Sequence, residues 1–251
     1  MTRYYKLTNE DGQTYGGTQW GPGVTHRAQG KGQVFCTEDF IHVYDDPLLA
    51  VLLNSIHTNF DKLRLWRCKV RHVRSDRGLE FGVKECTTLE ELPLPSVTVE
   101  QRVRFGILCA LEVYHEAHWV EWAHDWLSGR DRSASAAEAV LRTAAPILAT
   151  VEAEWDEAEW VAVRAAWAPE ETAAEAAAWV ARGKTRAASA AAEAAMWAAW
   201  EETEEALIAA EAAKKVSMWA AVAAEGAVEA ATEPLNLKRI ARSAIKGDEN
   251  A

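Results

Sequence analysis

The sequence lacks most of the patterns that announce a chemistry. Its four cysteines (Cys36, Cys68, Cys86, Cys109) form no CxxC pair, and three sit in apolar surroundings. That usage points to free thiols in a reducing, intracellular setting. The glycine-rich "GPGVTHRAQGKGQ" lacks the G-x-x-x-x-G-K-[ST] spacing of a phosphate loop, and no strong strand feeds it into a helix. No G-x-S-x-G elbow and no HExxH occur, and no cysteine has a histidine at a telling spacing. "MTRYYKLTNEDG" turns polar too soon for a signal segment. Long apolar runs are also missing. The alanine-rich half never goes more than about nine residues without a charge ("VSMWAAVAA"), against ~20 needed to cross a bilayer. These absences lead us to expect a non-membrane, cytoplasmic protein.

Charge is unevenly placed. Residues 1–97 hold 12 acidic and 12 basic side chains, so the net charge of −11 falls entirely after Val97. An acidic helical region repels phosphate backbones, which argues against broad nucleic-acid binding through it.

Half of the 14 glycines fall between Gly12 and Gly32, a density that marks turns and loops. Around them lie short alternating runs, "RYYKLT", "QVFCT", "FIHVY", "KLRLWRCKVRHV" and "LEFGVKEC", which read as strands. "DDPLLAVLLNSIHTNF" reads as a helix capped by Asp45 or Asp46, with Pro47 at its first position and Leu48, Leu49, Leu52 and Leu53 facing a core. We therefore expect an α+β domain over residues 1–95.

Thr98 and Gln101 match a capping box, and the spacing predicts one connecting helix (96–131) from Val99 to about Leu127, stopped by Gly129. His115, Trp119, Trp122 and Trp126 would form a stripe on it. From Ser133 to Thr232, 40 of 100 residues are alanine, so helix is expected almost throughout. Pro146, Pro169 and Pro234 would punctuate it, with Gly183 and Gly226 as weaker breaks. The expected helices are 134–145, 147–167, 170–182 and 185–231. The fold class is thus α+β, a small mixed strand-rich domain followed by an Ala-rich helical bundle or hairpin over 132–232.

At 100° per residue, Trp197, Trp200, Leu207, Ile208, Met218, Trp219 and Val222 gather in an arc ~140° wide, opposite a face of alanines. Glu204, Glu211, Lys214 and Lys215 intrude on the arc, and no a/d heptad is sustained, so this is no coiled-coil seam. The tryptophans are either knobs that hold a bundle together or a binding face, with Trp197, Trp200 and Trp219 its contact residues. Residues 233–251 form a basic tail in which Leu237, Ile240, Ala241, Ala244 and Ile245 line one helical side. Lys238, Arg239, Arg242 and Lys246 would dock it on the acidic helices of its own chain, or contact a partner or nucleic acid, unless the segment is disordered.

Two ExxH pairs, Glu112–His115 and Glu121–His124, stand nine residues apart, about 180° of rotation, so they cannot share a metal; no metal ligands are assigned. A polar cluster in the strand-rich domain comprises His26, His42, Tyr44 and His57 with Arg3 and Arg67. His42 and Tyr44 share one face of a strand, and beside a glycine-rich loop such a pair can cradle a nucleotide or do acid–base work.

"YKLTNEDGQTYGGTQWGPGVTH", "GQVFCTEDFIHVYDDPLLAVLLN", "LRLWRCKV" and "GLEFGVKECTTLEELPLPSVTVEQRVRFGILCALEVY" resemble an uncharacterised family of bacteriophage and prophage genomes, over residues 3–130. That resemblance implies a phage accessory protein without assigned activity. The order of glycine-rich loop, "FCTEDFIHVY", "PLLAVLL" helix and "LWRCKV" strand also loosely resembles ADP-ribosyltransferase-like folds, where a His and an aromatic residue hold NAD. His26 or His42, with Tyr44, would take those roles; no Arg–Ser–Glu set or late catalytic Glu matches. The expectation is a non-enzymatic accessory protein, without cofactor, that self-assembles or engages a host or virion protein. An NAD-using enzyme and a virion structural component are the alternatives.

Overall fold

The computed structural model of the chain describes residues 2–152, 173–201 and 206–247. It is a mixed α+β fold, with a β-sheet region in the N-terminal part and α-helices after it. Two compact units emerge, one of residues 1–97 with 236–241, the other of 98–235 with 242–251. The stretch 98–131 thus clusters with the helices that follow it.

The first unit contains β1 (Tyr4–Thr8), β2 (Gln13–Thr14), β3 (Thr18–Gln19), β4 (Thr25–Arg27), β5 (Ile41–Val43), α1 (Pro47–His57), β6 (Arg64–Asp76) and β7 (Glu80–Leu92). Its backbone is the long β6–β7 hairpin, closed by a turn in which Arg77 and Gly78 both take positive φ, the conformation tight hairpin turns require. β1 pairs with the outer edge of β6, while β4 and β5 lie end to end along the outer edge of β7. The sheet then curls on itself. Tyr44, just past β5, exchanges two 2.8 Å backbone hydrogen bonds with Tyr5 of β1, so the two edges meet. Trp20, Val43, Trp66, Cys68, Val83 and Cys86 pack together as a core, with the Trp66 indole N–H donating to Thr8 Oγ1 at 3.0 Å. α1 begins where the sequence predicts. Asp46 Oδ1 accepts from the Leu48 and Leu49 amides, Pro47 occupies the first turn, and Leu49, Leu52 and Leu53 are buried.

The second unit contains α2 (Val99–Leu111), α3 (Ala117–Ser128), α4 (Ala134–Glu152), α5 (Ala173–Glu201) and α6 (Ala206–Ala230). The Thr98/Gln101 capping box forms with both reciprocal hydrogen bonds. The single helix expected from Val99 to Leu127 does not: it breaks over 112–116. The break turns Val113 and Tyr114 inward, sets Tyr114 edge-on to Trp119 at 5.6 Å, and sends the Trp119 indole N–H to the Ala188 carbonyl at 3.2 Å. Tertiary packing here outweighs helix propagation. Trp119, Trp122 and Trp126 are buried, His115 is exposed, and Gly129 ends α3 at φ 77°.

Three expected interruptions are absent. α4 runs through Pro146, its alanine-rich flanks sustaining helix on both sides. Gly183 and Gly226 lie inside α5 and α6 because they serve close approach. A Cβ on Gly183 would fall 2.9 Å from the Ala230 amide nitrogen and the Gly226 carbonyl, and one on Gly226 would fall 2.9 Å from the Ala187 nitrogen. The expected helix 185–231 is two helices folded back on each other. Gly183 meets Gly226 and Ala230, Arg186 pairs with Glu225 and Glu229, and Lys215 lies over Trp197, so α5 and α6 run antiparallel. α2 packs on both helices and meets α6 at Gly106, whose Cβ position is 3.2 Å from Ala220 Cα. The helix expected at 147–167 falls largely on residues 153–172, outside the described residues, while the one expected at 170–182 is, from Ala173 on, the first part of α5, which continues past the expected end at 182.

α7 (Leu237–Lys246) is the basic tail. It is an amphipathic helix whose Leu237, Ile240, Ala241 and Ala244 are buried. Among the described residues, no helix is long and apolar enough to cross a membrane.

Candidate functional site

One carboxylate organises the polar residues of the first unit. Glu80 opens β7 directly after the hairpin turn and is 1 % exposed. His42 of β5 pairs with Gly82 of β7, so Glu80 lies one strand repeat away on the same side. His42 Nδ1 is 3.4 Å from Glu80 Oε1. His57, in the last turn of α1, places Nδ1 3.5 Å from Glu80 Oε2 and 2.9 Å from the Tyr44 hydroxyl. A strand, a helix end and a hairpin turn therefore meet at one acid.

A loop covers this group. Gly82 has no side chain because Phe40 occupies its place: a Cβ would come within 2.6 Å of the Phe40 ring and 3.0 Å of Phe35. Phe35 and Phe40 stack at 5.1 Å, which lays residues 33–40 across the strand pair. Asp39 fastens the loop, accepting the Gly32 and Val34 amides at 2.7 and 3.1 Å. Those amides, Val34 foremost, hold its carboxyl below the usual range. Cys36, at φ 60°, then donates its peptide N–H to His42 Nε2 at 3.3 Å.

Burial governs the electrostatics. It pushes His42 down to about 4, with Lys6 adding to the effect, even though Glu80 lies beside Nδ1. Burial likewise pushes Tyr44 well up and Lys6 down. Lys6 is buried, donating Nζ to the His42 carbonyl at 3.0 Å and lying 5.0 Å from the Trp20 ring centre.

Of the polar residues singled out from the sequence, His42, Tyr44 and His57 come together, but His42 and Tyr44 do not project into an open cleft. Tyr44 is only 3 % exposed and its hydroxyl is held by His57. His26 pairs with Cys86 on β7, four residues and about 13 Å along the strand from the His42 position. It bonds the Gln19 carbonyl and meets Trp20 edge-on. Arg3 is exposed and Arg67 pairs with Glu90. Sequence reasoning missed Glu80 and Cys36. A signal for Glu80 was present: it shares strand parity with Gly82, Cys86 and Thr88, all buried, and an acid on a buried parity needs a partner.

The tryptophan arc is also rearranged. Because the chain folds back, Trp197 belongs to α5 while Met218, Trp219 and Val222 belong to α6. Small residues meet across the hairpin, Gly183 with Gly226 and Ala230 and Ala187 with Gly226, and Ala187, Ala191, Ala194, Ala220, Ala224 and Ala227 are all buried. Trp197 and Trp219 are half-buried. Lys215 lies 6.0 Å from the Trp197 ring centre; the side chain of Trp200 is outside what is described. In the tail, Lys238 is tied to Asp45 at 2.6 Å, Asn236 Oδ1 caps the helix through the Arg239 amide, and Arg239 and Arg242 are exposed.

Compared with known proteins, the chain matches no family model, no curated protein and no solved structure. The resemblances to a phage family and to ADP-ribosyltransferase-like folds stand without a matching relative.

Proposed function

We propose that the chain is a non-enzymatic accessory protein that works through protein–protein contacts, a second copy of itself being the first partner to test. One observation carries the reading. The alanine side of the α5–α6 hairpin is filled within the chain, while Trp197 and Trp219 remain half-exposed beside Lys215 and the exposed Lys214. Indoles flanked by charge are the side chains that anchor protein interfaces. The NAD-using alternative draws less support, because the aromatic residue it needs, Tyr44, is sealed against His57. A host or virion protein is the other partner class, and a phage setting belongs to the same proposal.

Light scattering after size exclusion tests it. We expect a defined oligomer for the full-length protein and dissociation in the double variant Trp197→Ala/Trp219→Ala. A compact monomer at all concentrations, unchanged by the substitutions, counts against self-association. A melting-temperature rise with millimolar NAD or ADP-ribose would favour the enzyme instead.

A further inference from the structure

We propose that Cys36, His42 and Glu80 form a binding site for a divalent transition-metal ion, with Zn²⁺ the best match. The thiol sulfur, an imidazole nitrogen and a carboxylate oxygen of these residues all lie within 4.8 Å of one another. The 3.4 Å between His42 Nδ1 and Glu80 Oε1 is already the edge of a tetrahedron about Zn²⁺, since bonds of about 2.0–2.1 Å give an edge of ~3.3 Å. A Zn–S bond of ~2.3 Å gives sulfur edges of ~3.5 Å, so a sulfur within 4.8 Å of the other two ligand atoms needs to close by about 1.3 Å at most.

The three residues converge from separate parts of the fold, and each is placed for a stated reason. Glu80 and His42 are set by the β5–β7 ladder. Cys36 is set by the Phe35–Phe40 stack over Gly82 and by Asp39. Its positive φ is uncommon for a residue with a side chain, and such backbone is tolerated where the surroundings impose it. Cys36 is also the only exposed thiol of the four. Behind the site, His57 Nδ1 stands 3.5 Å from the second oxygen of Glu80 and is itself hydrogen-bonded to Tyr44, so a fixed polar ring backs the carboxylate.

Donor chemistry selects the ion. Ca²⁺ and Mg²⁺ take all-oxygen sites, whereas a mixed sulfur, nitrogen and oxygen set suits Zn²⁺. Three protein ligands leave a fourth position for water or an exogenous ligand. Binding also moves a hydrogen bond. A metal on Nδ1 forces the His42 proton onto Nε2, which then cannot accept the Cys36 peptide N–H. That 3.3 Å bond must open, and loop 33–39 shifts as the sulfur closes in. The thiol proton leaves to solvent, and the Zn–S bond forms in its place.

The test uses full-length protein stripped with chelator, titrated with ZnCl₂ by calorimetry and with Co²⁺ by absorption. We expect one ion per chain, with a Co²⁺ spectrum showing a thiolate charge-transfer band and tetrahedral ligand-field bands. Cys36→Ala lies on an exposed loop and should leave the circular-dichroism melt unchanged. It should abolish the thiolate band and weaken Zn²⁺ by more than the ~10–100-fold that loss of an outer partner costs. Glu80→Gln should weaken binding similarly, read alongside its melt. Absence of binding below about millimolar Zn²⁺, or a thiolate band that survives in Cys36→Ala, overturns the proposal. Neither result bears on self-association through Trp197 and Trp219.

Discussion

Replacing Gly226 by alanine sets two effects against each other. In an isolated helix this substitution stabilises by about 1 kcal/mol, because alanine is the best helix former and glycine among the worst. In the α5–α6 hairpin the new methyl would lie 2.9 Å from the Ala187 nitrogen and 3.0 Å from the Gly183 carbonyl. Both obstacles are helical backbone, so no side chain can swing aside, and the helices must part by a few tenths of an ångström. Ala187 and Ala230, both buried at this crossing, loosen with them. Overpacking of this kind costs ~2–3 kcal/mol, which leaves a net loss of ~1–2 kcal/mol after the propensity gain. For a domain of this size that is a fall in Tm of roughly 2–8 °C. Thermal and urea unfolding followed by circular dichroism would read it. Gly183→Ala should behave alike, and the double variant should lose less than the sum, because helices already parted for one methyl accommodate the second. A rise in Tm for Gly226→Ala would refute the close packing and with it the role assigned to the alanine face.

Tyr44→Phe removes the buried hydroxyl on His57 Nδ1 and should cost ~1–2 kcal/mol in urea unfolding; no loss would mean that this hydrogen bond contributes nothing to stability. His42 makes stability pH-dependent in a defined window. Its folded pKa of about 4 lies below the ordinary 6.5, so the unfolded chain takes up the proton first as pH falls. Stability present above pH 6.5 should drop by ~3 kcal/mol as pH falls to 4, and His42→Gln should flatten that slope, measured by urea unfolding in chelator. An unchanged slope in the variant would assign the pH dependence to other groups.

Sequence alone determined the elements whose causes lie within a few residues. The Asp46–Pro47 start of α1, the Thr98/Gln101 box, the stop at Gly129 and the existence of strands β6 and β7 are all matters of local hydrogen bonding or strand-forming composition, and each reads directly from the sequence. The mixed class, strands first and helices after, follows from the same signals. Tertiary structure decided the rest. The helix expected through 112–116 bends because Trp119 finds Ala188, 69 residues on. Gly183 and Gly226 read as breaks, since glycine's low propensity is local, but the backbone they must let approach belongs to another helix. The strand parity of Glu80 marks it as a buried acid in need of a partner, but the partners lie far along the chain; His42, His57 and Cys36 reach it only when the sheet curls and α1 ends beside it. Spacing records what a residue does to its own turn of chain, whereas a site is made by chain segments that meet only after folding.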